Sequence, residues 1–293
     1  MPRFFRFFII ILFAIALLFI SKPLRAQVFV SDSIDDQFFP FIRFQLSPDE
    51  PFVSRQLEII ENNSQNHQPI LLLPPHPVLS KIDLFILIDQ TQINADQADL
   101  IKYQLKSLER FLHRTSISVT FHIHTFGPDD TSSNLSFSTI RDPADFQQLV
   151  DDLVFTEPVS PKNYLLNKLY HLTTLPLAPD SQPIALLINP HAFFNADEDV
   201  STTYRISDVA SALHQNSFWL FSAGSPISSL VGLKNNVVED VSLHHSLYGG
   251  YLGTLNFPLD QWFDFLLSAD HSSYTVQMTS QADAFHIIRL WLI

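Results

Sequence analysis

Cysteine is absent from the 293 residues, so no disulfide can staple this fold and its stability must rest on an apolar core. Glycine is scarce, with six residues, and the chain contains neither a Walker-type phosphate loop nor the glycine fingerprint of dinucleotide-binding folds. His-Glu-x-x-His and Gly-x-Ser-x-Gly are missing too, which removes the usual signatures of zinc proteases and serine hydrolases; Ala223-Gly224-Ser225-Pro226 reads as a strand-to-helix connection. Basic residues are few: 17 Lys and Arg stand against 30 Asp and Glu, for a net charge of −13. Such an excess of acid repels phosphate, and no basic stripe offsets it, so nucleic acid is not an expected partner. After residue 20 the apolar runs are only about five to eight residues long, too short to cross a bilayer.

What the chain does have begins at its start. Arg3 and Arg6 precede an unbroken apolar run from Phe7 to Ile20, and Ser21-Lys22-Pro23-Leu24-Arg25-Ala26 follows. A basic, then apolar, then polar order with a small residue at its end is the layout of a signal peptide. Residues 1–26 are therefore expected to direct export to the periplasm or outside and to be cleaved before Gln27. The other outcome is an uncleaved N-terminal anchor, and in both cases the rest of the chain lies outside the cytoplasm. Cleavage removes four cationic residues and no acid, which takes the net charge from −13 to −17.

The remainder divides by pattern. Residues 27–80 read as β-rich, with Phe39 to Leu46 strand-like and Ile70-Leu71-Leu72-Leu73 a short strand inside an Asn-, Gln- and Pro-rich stretch. At Lys81 the character changes. Ile82 to Ile88 is a nearly continuous apolar run ending in Asp89, as suits a strand covered on both faces. Leu100, Ile101, Leu105, Leu108, Phe111 and Leu112 then recur at helical spacing. A strand over Ile117 to Phe126 follows, then a helix capped by Asp142 with Pro143 in its first turn. The pattern continues with a helix from Pro161 to Leu172 capped by Ser160, a strand at Ile184 to Ile188, and a helix near Leu213. A strand at Phe218 to Phe221, a short helix near Leu230 and a last strand at Val237-Val238 complete it. Alternation over 81–268 predicts an α/β unit with a doubly wound, mainly parallel sheet and helices on both faces. Residues 269–293 read as a C-terminal β-hairpin, with strands around Tyr274 and Phe285 to Leu292, packing with the N-terminal strands as a β-rich flank.

Ligands of open α/β sheets bind beyond the carboxyl ends of the strands. That selects Asp89-Gln90-Thr91-Gln92-Ile93, Val159-Ser160-Pro161 and Asn189-Pro190-His191. With these residues in place, the chain from about Lys81 to Phe265 resembles a von Willebrand factor A domain. The resemblance implies a metal-ion-dependent adhesion site, in which Asp-x-Ser-x-Ser, a loop threonine and a later aspartate hold a divalent cation that takes an acidic group from a partner. Asp89 matches the first aspartate, and Thr91 matches the first serine. Ile93 falls at the second serine and has no donor; Ser160 stands for the loop threonine. Asn189-Pro190-His191 falls where the family has Thr-Asp-Gly, which leaves proline in place of the aspartate, or Asn189 if the register slips by one. The expected site is thus vestigial, made of Asp89, Thr91, Ser160 and Asn189, with no cofactor and at most weak Mg²⁺ or Ca²⁺.

Two further groups carry candidate chemistry. His122 and His124 share one face of their strand, a spacing that binds zinc when a third ligand approaches; hydrogen-bonded histidines beside the sheet are the plainer expectation. Asp129-Asp130 and Asp197-Glu198-Asp199 read as solvated acidic loops, with weak Ca²⁺ binding as the alternative. The function these residues favour is a non-enzymatic, exported interaction module with an unidentified protein partner. A metal-dependent adhesion protein on the same fold and an extracytoplasmic enzyme of unknown type are the rivals.

Overall fold

A computed structural model describes residues 26–27, 41–46, 57–61, 64–65, 70–76, 78–89, 93–126, 138–140, 142–155, 165–188, 203–224, 248–256, 258–268, 272–279 and 288–292. The strands are β1 (Ala26–Gln27), β2 (Phe41–Leu46), β3 (Leu57–Glu61), β4 (Ser64–Gln65), β5 (Ile70–Leu73), β6 (Lys81–Asp89) and β7 (Ser118–Phe126). They continue as β8 (Ser138–Ile140), β9 (Gln182–Ile188), β10 (Trp219–Ala223), β11 (Tyr248–Gly253), β12 (Tyr274–Thr279) and β13 (Ile288–Leu292). The helices are α1 (Ala95–Arg114), α2 (Pro143–Asp151), α3 (Leu165–Leu172), α4 (Ile206–Gln215) and α5 (Leu259–Ser268).

The central sheet starts from β6, whose residues from Ile82 to Asp89 are all buried. Side chains alternate along it. Ile82, Leu84, Ile86 and Ile88 face a core with Ile101, Leu105 and Leu108 of α1, Phe146 and Val150 of α2, and Trp262 and Phe263 of α5. Phe85 and Leu87 face the opposite core, built with Leu165, Leu166 and Leu169 of α3 and Val209 and Leu213 of α4. Both faces are therefore dry, which is why the strand is an unbroken apolar run rather than an alternating one. Burial of each such side chain stabilises by roughly 1.5–3 kcal/mol.

Strand order through this part of the sheet is β8-β7-β6-β9-β10-β11, with β7, β6, β9, β10 and β11 parallel and β8 antiparallel at the edge. Numbered along the chain, that is the 3-2-1-4-5-6 order of a doubly wound fold. The fold is accordingly a doubly wound α/β unit with helices on both faces, as the alternation of patterns implied. Local signals place its helices: Asn94 and Gln97 form a reciprocal capping box at α1, and Asp142 accepts from Ala144 N at 2.8 Å to start α2, with Pro143 in the first turn. Gln104 of α1 donates to Leu255 O (2.8 Å) and accepts from Leu259 N (2.9 Å), which fixes the start of α5 against α1.

The flanks depart from expectation in one respect. N- and C-terminal strands do pair, but among the described residues β12 and β13 are not paired with each other as a hairpin. β12 lies between β2 and β5, both antiparallel to it, and β5 pairs with β11, so this part of the flank extends the central sheet to nine strands. β13 lies instead between β1 and β3 in a separate four-stranded sheet with β4. Both edges of β12 are already taken, which leaves β13 no place beside it. Alternation in a sequence marks a strand without naming its partner. The short helix near Leu230 and the strand at Val237-Val238 lie outside the described residues. The sixth strand of the doubly wound unit is β11.

One side chain anchors the extension. Arg43 of β2 is 4% exposed, and its Nε donates to Gln277 Oε1 of β12 at 2.8 Å. Its guanidinium lies 3.8 Å from the Phe265 ring centroid and 4.9 Å from that of Trp262, both on α5. The buried cation is thus held over two aromatic faces, which ties the outer strands to a helix of the α/β unit. Among the described residues no helix is long and apolar enough to cross a membrane.

Candidate functional site

The order reverses between β6 and β9, and a crevice at such a switch point is where doubly wound folds place ligands. Ile88 pairs with Ile188, so the two strands end side by side. Asp89, the last residue of β6, pairs in register with Phe126 and is 1% exposed. By strand alternation it lies on the face of Leu87, the side covered by α3 and α4. On that side α3 also carries Lys168, which is fully buried, a cation that helical spacing did not single out.

Ile93 lies elsewhere. It is 5% exposed and packs in the core on the opposite face, against α1. The position that the resemblance gives to a metal-binding serine is therefore an apolar anchor immediately before the α1 cap. Thr91, Ser160 and Asn189 lie outside the described residues, as do Pro190, His191 and the acidic loops at 129–130 and 197–199. Among the described residues no group of three or more His, Asp or Glu side chains is placed to hold a metal ion.

The two histidines of β7 take separate structural places on the same face. His122 stacks on Phe85, centroids 4.4 Å apart and planes 10° from parallel, and its Nε2 is 3.5 Å from Asp83 Oδ1. His124 is 8% exposed, with its ring parallel to that of Phe126 at 6.4 Å.

Asp83 is a polar centre that the sequence hid inside an apolar run. It is 3% exposed, and its Oδ2 accepts from Ser181 Oγ (2.5 Å) and Ala178 N (2.9 Å). The 178–181 turn that supplies both donors contains Asp180 in the left-handed region, at φ 60°. Burial alone pushes the Asp83 carboxyl up, but the hydrogen bonds from Ser181 and Ala178, with His122 beside it, together hold it below the ordinary carboxylate range. Asp83 sits near the amino end of β6, away from the strand ends that carry Asp89. It joins β6, β7 and the turn before β9.

No protein-family model matches the chain, and no curated protein is similar to it at a significant level. Among solved structures, it is similar to an aerotolerance-related membrane protein from Bacteroides fragilis NCTC 9343, in a form with multiple mutations to serine. The TM-score is 0.41 at 6% identity, over 62% of this chain and 96% of that one. The doubly wound α/β fold described above rests on strand order and direction in this chain.

Proposed function

We propose that the chain is an exported, non-enzymatic protein-interaction module in which an A-type sheet serves as scaffold and the adhesion-type metal site is degenerate. The observation that supports this reading is the burial of Ile93 in the core, at the position where a cation site of this kind takes a hydroxyl. Tight Mg²⁺ binding needs near-octahedral oxygen ligands, enough of them to offset the cost of stripping water from the ion. Ile93 supplies none, Pro190 has no side-chain donor, and Asn189 lacks the charge of an aspartate. Asp89 is then the one anionic ligand of the set, with Thr91 and Ser160 offering hydroxyls alone.

Calorimetric titration with Mg²⁺ and Mn²⁺ is expected to show no binding tighter than about millimolar. Partner capture from the native cells is expected to be unchanged by chelator. Because Asp89 is almost fully buried, Asp89→Ala is expected to alter stability more than any ion response. A stoichiometric micromolar isotherm that Asp89→Ala abolishes overturns the degenerate site and makes the protein a metal-dependent binder. Export has its own check: intact mass of the protein recovered from its cells is expected to begin at Gln27, and a membrane-bound product retaining Met1 establishes the anchor instead. The cut after Ala26 falls within β1, leaving Gln27 opposite Trp291.

A further inference from the structure

A recess lies at the end of the strands opposite Asp89. Ser118, at the start of β7, pairs with Lys81, whereas Asp89 pairs with Phe126 eight residues on, a separation of roughly 26 Å along the strand. Here α1, α2 and β7 enclose a cleft of about 230 Å³, lined among others by Glu109, His113, Ser118, Phe121, Asp142 and Phe146. Pockets for drug-sized ligands run from about 300 to 1,000 Å³, so this one suits a single long side chain.

The chemistry of the lining is one-sided. Glu109 is 3% exposed, and its Oε2 accepts from the neutral Gln147 Nε2 at 2.7 Å. Among the described residues no lysine, arginine or histidine forms an ion pair with it, and Oε1 receives no hydrogen bond. The nearby lysine of α1 is engaged elsewhere, since Lys106 pairs with Asp151. A carboxylate with a single neutral donor keeps an oxygen to which a cation can be brought. Asp142 adds negative field at the rim, though its carboxylate already caps α2. The floor is aromatic: Phe121 and Phe146 lie with centroids 4.5 Å apart, a surface suited to a methylene stem and to the face of a guanidinium.

We propose that this cleft is a docking pocket for an arginine or lysine side chain of a basic protein partner. The stem lies along Phe121 and Phe146, and the charged head meets Glu109. The net charge of −13 favours the approach of such a partner over distance. The pocket goes beyond the strand-end reading and is separable from it, because the metal titration reports on Asp89 and this one on Glu109.

The test is a titration of the full chain with n-butylguanidinium, n-butylammonium, the uncharged n-butylurea, and the peptide acetyl-Gly-Arg-Gly-amide, followed by NMR at the Gln147 side-chain amide and the Phe146 ring. Saturable shifts are expected with both cations and the peptide, and none with butylurea. Glu109→Gln should abolish them. Should that variant fail to fold, the exposed rim residue decides, since His113 can be exchanged without disturbing the core. His113→Lys is expected to weaken binding severalfold and His113→Glu to strengthen it. Equal shifts with butylurea, or affinities indifferent to the charge at position 113, overturn the proposal. Binding of the free cations without the peptide overturns the protein-partner part, leaving a small-cation site.

Discussion

Replacing Gly249 with alanine is expected to destabilise the protein by about 3 kcal/mol or more, which for a chain of this size lowers the melting temperature by roughly 10 °C. Two costs combine. Gly249 has φ +128°, a conformation that strains any residue with a Cβ by about 1–3 kcal/mol. A Cβ there would lie 2.0 Å from the backbone oxygen of Leu220 and 2.6 Å from its carbon, and backbone cannot swing aside as a side chain can. The position is also a junction: Gly249 pairs with Leu220 of β10 on one side and Leu72 of β5 on the other, where the parallel part of the sheet meets its antiparallel extension. Thermal melts followed by circular dichroism give the measure. A variant melting within about 2 °C of the parent would show that β11 can move away from β10, contrary to the packing described.

Loss of the Asp83 carboxylate should cost nearly as much, and unlike the glycine effect it should depend on pH. Hydrogen bonds to a buried charged group contribute about 1.5–3 kcal/mol each, so Asp83→Ala, which strands the Ala178 N–H and frees Ser181, is expected to cost about 3 kcal/mol at neutral pH. The folded carboxyl titrates below its unfolded value. Between the two values the unfolded chain binds more protons, so the stabilisation is fully present above the unfolded pKa of about 3.9 and is lost as pH falls through the folded one. Urea unfolding of the protein and of Asp83→Asn at pH 7 and again near pH 3 should therefore show a gap that narrows in acid. A gap of constant size would mean that Asp83 acts through shape alone.

The contrast between Asp83 and Asp89 shows what could be read in the sequence. The apolar run of β6 announced a strand buried on both faces, and the caps at Asn94 and Asp142 are local chemistry, set within three residues and so visible in one dimension. Asp83 sits in the same run, but its partners are Ser181, Ala178 and His122, which join it through the register of β6 with β7 and a turn some 95 residues later. No pattern along the chain carries that information. β11 was missed for a different reason. Its sequence, Tyr-Gly-Gly-Tyr-Leu-Gly, has none of the β-branched residues by which strands are recognised, because close approach to β10 requires glycine there. At the candidate site, Asp89 at a strand end and the missing donor at Ile93 were legible. That Ile93 turns into the core of the opposite face was not, since it depends on the angle at which the chain leaves β6. Glu109 looked like one more polar residue on an amphipathic helix, and α2 and β7 give it its burial.

The pairing of β2 with β12 also sets an order of events. Arg43 and Gln277 are partners although 234 residues separate them. At about 5–20 residues per second, β2 exists for on the order of 10 to 50 s of synthesis before its neighbour is made. During that interval the strands that β12 will join have open edges, the kind that seek any other chain. Contacts this distant in sequence also close slowly, because loop entropy must be overcome before they stabilise anything. The sheet thus stays open between β2 and β5 until β12 has been made, and any shorter product that stops before Tyr274 leaves both of those edges exposed.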